Sequence, residues 1–242
     1  MLPKGATLQT GRYKIEEYLA SGGFGNTYLA INNFDEKVAI KEFFMKDINQ
    51  RDGDSTRISV SNPNSKPIFE EQKSKFLKEA KRLRGFHSKH IVGVIDLFEE
   101  NDTMYYVMDY IDGESLRKMI EKRGRLPEDE VRGYLIQILD ALEEVHSQKI
   151  FHLDLKPANI MIDREGHVHD IDFGASKQQK ADGDGATTSS ALVHTPGGDM
   201  HGIADRRIKQ KPFIVTCILL FQIGWFLISL LSNKSKCKLW KN

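Results

Sequence analysis

Between two apolar runs the chain places three polar side chains, Asp154, Lys156 and Asn159, within His152-Leu153-Asp154-Leu155-Lys156-Pro157-Ala158-Asn159. Such groups are costly in apolar surroundings unless they serve one another or a ligand. Thirteen residues after Asn159 stands Asp172-Phe173-Gly174. Short strands around IMID and HVHDI predict a hairpin between the two motifs. That hairpin would return the Asp172 carboxylate to Asn159 and offer the hard oxygen ligands that Mg²⁺ takes. In such a site Asp154 could accept a hydroxyl proton, Lys156 could neutralise a transferring phosphoryl group, and Asn159 could ligate a metal. Gly174 would permit the unusual backbone that turns the chain away.

Upstream lies Leu19-Ala20-Ser21-Gly22-Gly23-Phe24-Gly25-Asn26-Thr27-Tyr28. Glycines let a backbone approach phosphates closely and turn its N–H groups toward them. Taken alone, the segment reads equally as a plain hairpin turn. No Gly-Lys-Ser/Thr follows, which disfavours a Walker-type loop. Val38-Ala39-Ile40-Lys41 comes thirteen residues after Gly25. A lysine that ends an apolar strand is often only a solvated strand end. One hairpin after a glycine loop, it can reach α- and β-phosphates, and then needs a carboxylate to hold it. Glu79 on the following helix is the candidate; Glu70 and Glu71 lie too near that helix's start.

The rest of the chain supplies a frame for these motifs. RYKIEEYLA, TYLAI and KVAIK read as strands. The polar segment 46–67, with two prolines, reads as a long loop. Phe69, Phe76, Leu77, Ala80 and Leu83 recur at helical spacing, with Gly85 as a stop. IVGVIDLFEE and TMYYVMDYI read as strands, SLRKMIEKRG as a short helix, and LPEDEVRGYLIQILDALEEVHSQ as a long amphipathic one. Residues 178–190 are small and polar, a mobile loop. No internal repeat is evident.

With these motifs in hand, residues 12–197 resemble the protein kinase family, and its bacterial Ser/Thr branch in particular. The kinase glycine loop is matched at Gly22 and Gly25, with Ala20 in place of the usual first glycine and Thr27 in place of the common valine. VAIK is complete at 38–41 and DFG at 172–174. The catalytic loop reads HLDLKPAN. The resemblance implies a two-lobed α+β fold. Residues 12–111 would form an N-lobe of five antiparallel strands and one helix. Residues 112–197 would form a partial helical C-lobe carrying the catalytic loop and activation segment.

The resemblance also implies roles. Asp154 would orient and deprotonate a substrate hydroxyl, and Lys156 would contact the γ-phosphate of ATP. Asn159 and Asp172 would hold Mg²⁺. Lys41, paired with Glu79, would hold the α/β-phosphates beneath a loop of Ala20, Ser21, Gly22, Gly23, Phe24, Gly25 and Asn26. Leu19, Thr27 and Ala39 would roof the adenine and Met161 would floor it. Met108 looks like the gatekeeper, with the backbone of Asp109 and Ile111 as hinge. Leu83, Val94, His152 and Phe173 fall where the family stacks an apolar spine. The lysine two residues after Asp154 marks Ser/Thr specificity. The implied activity is ATP-dependent phosphorylation of a protein substrate on Ser or Thr. The alternative is a truncated kinase or pseudokinase that binds ATP with little or no transfer.

Two departures accompany the match. Leu153 replaces the arginine that usually receives an activation-loop phosphate, and leucine cannot pair with phosphate. Thr187, Thr188, Ser189 and Ser190 are therefore weak candidates for such a switch. After Thr195-Pro196-Gly197 the family pattern stops, and with it the glutamate and central helix expected of the lobe. The remaining tail, 198–242, contains 213–231, which is uncharged and flanked by Arg and Lys. It reads as a membrane span, as a substitute core helix, or as an out-of-frame product. Loss of the central helix would leave much of the apolar face of helix 127–146 without a partner.

Composition sets the remaining bounds. At 40% hydrophobic and 29% charged residues the chain is globular rather than disordered. Its net charge of +1 gives no pull toward nucleic acid. Both cysteines, Cys217 and Cys237, lie in the tail, so the body cannot be disulfide-stapled and suits a reducing cytoplasm. The N-terminus has no apolar h-region, so no signal peptide is expected.

Overall fold

The computed structural model describes residues 1–22, 25–51 and 55–178. The expectations for Gly23 and Phe24, for positions 187–190, and for the tail with its candidate membrane span 213–231 lie outside the described residues.

In chain order the elements are β1 (Thr7–Leu8), β2 (Tyr13–Gly22), β3 (Gly25–Asn32), β4 (Lys37–Phe43), β5 (Asn49–Arg51), β6 (Ile58–Val60), α1 (Lys66–Arg84), β7 (Val94–Glu100) and β8 (Thr103–Asp109). There follow β9 (Gly113–Ser115), α2 (Leu116–Arg123), α3 (Glu128–Ser147), β10 (Ile150–Phe151), β11 (Ile160–Asp163), β12 (Val168–Asp170) and β13 (Lys177–Gln178). The N-lobe sheet is antiparallel in the order β1-β2-β3-β4-β8-β7. It has six strands rather than five. Residues ahead of position 12 add β1, and Leu2 and Leu8 bury against Tyr13, Ile15 and Tyr28.

Alternation along β4 sorts the two faces of this sheet. Val38 and Ile40 join the core beneath the N-terminal segment. Ala39 and Phe43 face α1 and join a second core with Phe69, Phe76, Ala80 and Leu83. Phe76 packs 5.5 Å from Phe43 and 4.9 Å from Tyr106, centroid to centroid. Burying one such ring contributes about 2–3 kcal/mol, which fixes the helix against the sheet. Lys41 lies on this same α1-facing side.

The segment 46–67 is not a plain loop. It forms the β5–β6 hairpin, with Asn49 paired to Val60, then a 3₁₀ turn at Pro63–Ser65, and α1 starts at Lys66. The hairpin escapes a hydrophobic-pattern reading because it carries few apolar residues. It is held both by apolar packing, with Ile58 buried and Ile48 and Val60 against the core of Ala39 and Phe43, and by polar contacts, among them Ile58 N–H to Asn101 O at 2.9 Å and Thr56 Oγ1 to Asn101 Oδ1 at 2.7 Å.

In the C-lobe, Ser115 caps α2 by accepting from Lys118 N at 3.3 Å. Gly124 ends α2 at φ +73°, where a side chain would be strained. Pro127 precedes α3, and Glu128, Asp129 and Glu130 fill its first turn, where the helix dipole favours acids. Val131, Tyr134, Ile138 and Leu142 of α3 bury with Leu116, Ile160, Ile162 and Val168. On its other side Ile136 and Leu139 remain 55% and 46% exposed. The small sheet β12-β11-β9 presents the chain between the two catalytic motifs. Among the described residues no helix is long and apolar enough to cross a membrane.

Candidate active site

Strand β4 delivers Lys41 toward α1, and α1 presents Glu79 at the depth of its buried face. Lys41 Nζ donates to Glu79 Oε1 at 2.7 Å, and Tyr106 OH donates to the same oxygen at 2.8 Å. Lys41 Nζ also lies 3.6 Å from Asp172 Oδ1 and 5.5 Å from the Tyr106 ring centroid. Burial works against the Lys41 charge, but Tyr106 and the Glu79 and Asp172 carboxylates outweigh it and hold the ammonium well above its ordinary pKa. Burial likewise opposes ionisation of Asp172. Lys41, the Gly174 N–H and Lys156 overcome it, and the carboxyl sits below the usual range.

The segment 152–159 forms the second half of the candidate site. Asp154 Oδ2 accepts from Lys156 Nζ at 2.6 Å and from Asn159 Nδ2 at 3.1 Å. Asn159 Nδ2 also reaches Asp154 O at 3.0 Å. With its amide nitrogen turned to Asp154, Asn159 leaves Oδ1 as an acceptor for another partner. The Asp154 side chain is 39% exposed, so it is open to an incoming hydroxyl. Backbone bonds tie the halves together: Ile171 N–H donates to Asn159 O at 3.0 Å, and β11 pairs with β12 as the predicted hairpin. Asp172 and Asn159 thus supply hard oxygens of the type that fits Mg²⁺.

Beneath this layer Phe173 is fully buried, 4.5 Å from His152 and 5.2 Å from Phe86. Leu83 and Val94 share its core. The four spine positions therefore fall in one region. Leu153 adopts φ +63°, an uncommon conformation for a residue with a side chain. Gly174, in contrast, is not left-handed. Its need is space, because a Cβ there would lie 3.2 Å from both Asp172 Oδ1 and Glu79 Oε2.

The nucleotide-roof candidates lie along the same sheet. Ala39 and Met108 are cross-strand partners, both buried. Thr27 stands opposite Lys41 on β3, and Ala20 and Ser21 oppose Thr27 and Asn26. Leu19 is exposed, Gly22 faces Gly25, and Met161 is half-buried on β11. Asp109 donates its N–H to Gly93 O, and its Oδ2 accepts from Gly93 N, so its side chain serves the turn before β7; Ile111 is half-buried just beyond. The Asn26 side chain is buried and donates to Glu42 Oε2 at 3.2 Å. Only its backbone remains for a phosphate.

Two residues of the site were not anticipated. Tyr106 shares Glu79 with Lys41, and the alternation of β8 places it on the face of Met108. Asp170 is 3% exposed, with Oδ2 2.6 Å from His152 Nε2. His152 Nδ1 accepts from Asp154 N at 3.2 Å, so the imidazole links Asp170 to the backbone of Asp154. An acid inside the short strand read at HVHDI was the available signal, since a buried carboxylate needs a partner.

Residues 13–239 match the protein kinase domain family. The matched span continues past Gly197, where the motif pattern stops. The chain is 30% identical to the serine/threonine-protein kinase PrkC of Bacillus subtilis, over 88% of this chain and 30% of that protein. It is 33% identical to the serine/threonine-protein kinase PknA of Nostoc, over 78% of this chain and 32% of that protein. It therefore spans about a third of the length of these relatives. A solved structure titled "PpkA-294 apo form" superposes with a TM-score of 0.68 at 26% identity, covering 72% of this chain and 62% of that one.

Proposed function

The chain belongs to the protein kinase family, and on that premise we propose that it transfers the γ-phosphate of ATP to serine or threonine hydroxyls of a protein. The observation that carries this reading is a pair of linked clusters: Lys41 with Glu79 and Asp172, and Asp154 with Lys156 and Asn159, joined where Ile171 N–H donates to Asn159 O beside Asp172. Lys41, locked by Glu79, would lie against the α- and β-phosphates. Asp172 and the Oδ1 of Asn159 would hold Mg²⁺, which when bound neutralises phosphate charge. Asp154, held by Asn159 and open to solvent, orients the acceptor hydroxyl and takes its proton. Lys156, 2.6 Å from Asp154, stabilises charge on the transferring group. These residues supply positioning and electrostatics, which phosphoryl transfer chiefly requires. Lys156 also supports Ser/Thr over Tyr acceptors. Attachment to a membrane through 213–231 would be a further property, supported by its length and lack of charge.

The rival reading is nucleotide binding without transfer, favoured by the absence after Gly197 of the residues that anchor a substrate platform. Differential scanning with ATP·Mg²⁺ on the full chain, beside radiolabelled phosphate transfer to a generic protein substrate, separates the two. The transfer reading expects stabilisation and incorporation, with incorporation lost in Asp154→Asn. Stabilisation without incorporation into any protein selects the rival.

A further inference from the structure

The sheet face opposite Lys41 hides a carboxylate that phosphoryl transfer does not use. Glu42 follows Lys41 on β4, so alternation turns it to the other side, where it is 0% exposed. It is a lateral neighbour of Asn26 on β3 and of Tyr105 on β8. Its Oε2 accepts from Asn26 Nδ2 at 3.2 Å and from Tyr28 OH at 3.0 Å, and its Oε1 accepts from Tyr105 OH at 2.8 Å. The cation that pairs with Glu42 is Arg51 of the β5–β6 hairpin, whose Nη2 donates to Oε1. Arg51 is itself buried, with a side chain 8% exposed, and it spans its own hairpin by donating to Thr56 O.

This cluster reaches the glycine loop by two routes. Asn26 is the second residue of β3, the return strand of that loop, and its side chain is committed to Glu42. Beside it, the backbone of Gly25 approaches so closely that a Cβ would lie 2.6 Å from Glu42 O. The position of the start of β3 is therefore tied to where Glu42 sits. Removing one partner of a buried ion pair is strongly destabilising, so Arg51 matters to where Glu42 is held.

We propose that Arg51 is a positioning residue for the nucleotide: by holding Glu42 it fixes Asn26 and Gly25, and so ties the β5–β6 hairpin to the phosphate-facing strand. This role rests on the nucleotide reading above. It gives strands β5 and β6 a function rather than leaving them an inert insertion. Lysine would restore the charge but not the two-pronged geometry.

The test is carried out on the full chain with a fluorescent N-methylanthraniloyl ATP and Mg²⁺. Arg51→Met is expected to raise the Kd of the analogue and the KM for ATP about tenfold, leaving kcat at saturating ATP within about twofold, the pattern of a misplaced binding element. Arg51→Lys should recover part of that loss. Because Arg51→Met strands a buried charge, the double variant Arg51→Met/Glu42→Gln serves as the folding control. It should regain the thermal midpoint while the Kd stays raised at least about threefold. A double variant with wild-type midpoint and wild-type Kd would reduce Arg51 to a stabilising residue and overturn the role. Unchanged Kd in folded Arg51→Met would do the same. Failure of the unmodified chain to bind the analogue would instead overturn the nucleotide reading itself, and this role with it.

Discussion

Lys41 Nζ stands 2.7 Å from Glu79 Oε1, so the central strand of the N-lobe and helix α1 are locked in register. Tyr106 completes the lock by donating to the same oxygen. One carboxylate oxygen thus takes two donors from two strands, and α1 cannot swing outward without breaking both. The side chains of Lys41 and Glu79 are only 16% and 8% exposed, so this pair escapes most of the solvent screening that makes surface ion pairs weak.

Lys41→Met should therefore act on both folding and chemistry. Removing one partner of a largely buried pair costs about 3 kcal/mol, read as a lower urea midpoint. Loss of a preorganised charge at the phosphates lowers kcat/KM by about 10²–10³, read in steady-state transfer assays. Glu79→Gln keeps a hydrogen-bond acceptor for Tyr106 and should cost less in stability than Lys41→Met. Equal stability losses in the two variants would contradict the proposed burial of the pair.

Asp154→Asn should separate binding from transfer. The residue is partly exposed, and asparagine still offers Asn159 an acceptor, so stability should change by less than about 1 kcal/mol. A positioned general base contributes about 10²–10⁴ in rate, and transfer should fall by that order. Affinity for ATP·Mg²⁺, measured by calorimetry, should remain close to that of the unmodified chain.

Much of this site is legible from the chain because its chemistry sits in short runs. Asp154, Lys156 and Asn159 lie within one segment, and the strand pair β11–β12 is local, so the return of Asp172 follows from spacing. The choice of Glu79 over Glu70 and Glu71 follows from helix geometry alone. What escaped depends on contacts between distant segments with no periodic signal. Arg51 reads as one charge in a polar stretch until Glu42 is seen to have no exposure. Leu2 and Leu8 are isolated apolar residues whose burial depends on the far side of the sheet. Asn26 reads as a loop residue facing phosphate, yet cross-strand register turns its side chain inward. His152 and Asp170 meet only because the backbone of Asp170 is held by His90 and Val92, with Asp170 N–H to His90 O at 2.8 Å and Val92 N–H to Asp170 O at 2.9 Å.

Acid stability should carry a signature from Asp163 at the β11–β12 turn. Its Oδ1 accepts from the backbone N–H groups of Glu165 and His167 at 3.0 and 2.7 Å, and its Oδ2 faces His169 Nε2 at 2.9 Å. Burial pushes the carboxyl up, but the bonds from His169 and His167 hold it below its ordinary value. A folded pKa below the unfolded one gives stability that is present above about pH 4 and is lost as pH falls through the depressed value. Asp163→Asn should thus cost about 0.5–1 kcal/mol at pH 7, kept small by solvent screening, and the difference should shrink below about pH 4. Urea midpoints measured across that range check the sign.

Gly174 offers the sharpest separation of space from backbone freedom. Its φ is not left-handed, so alanine meets no strain from the backbone itself. The added Cβ would instead lie 3.2 Å from Asp172 Oδ1 and 3.2 Å from Glu79 Oε2, contacts tight enough that one carboxylate must move by a few tenths of an ångström. Either movement disturbs Lys41, which both carboxylates share. Gly174→Ala should cost about 1–2 kcal/mol of stability, the low end of overpacking, while raising the Mg²⁺ concentration needed for half-maximal transfer several-fold, because the displaced group is the proposed metal ligand or the partner of its neighbour. A Mg²⁺ titration of transfer at fixed ATP, run beside a urea melt, distinguishes this from general destabilisation. An unchanged Mg²⁺ requirement would place the Asp172 carboxylate away from the metal.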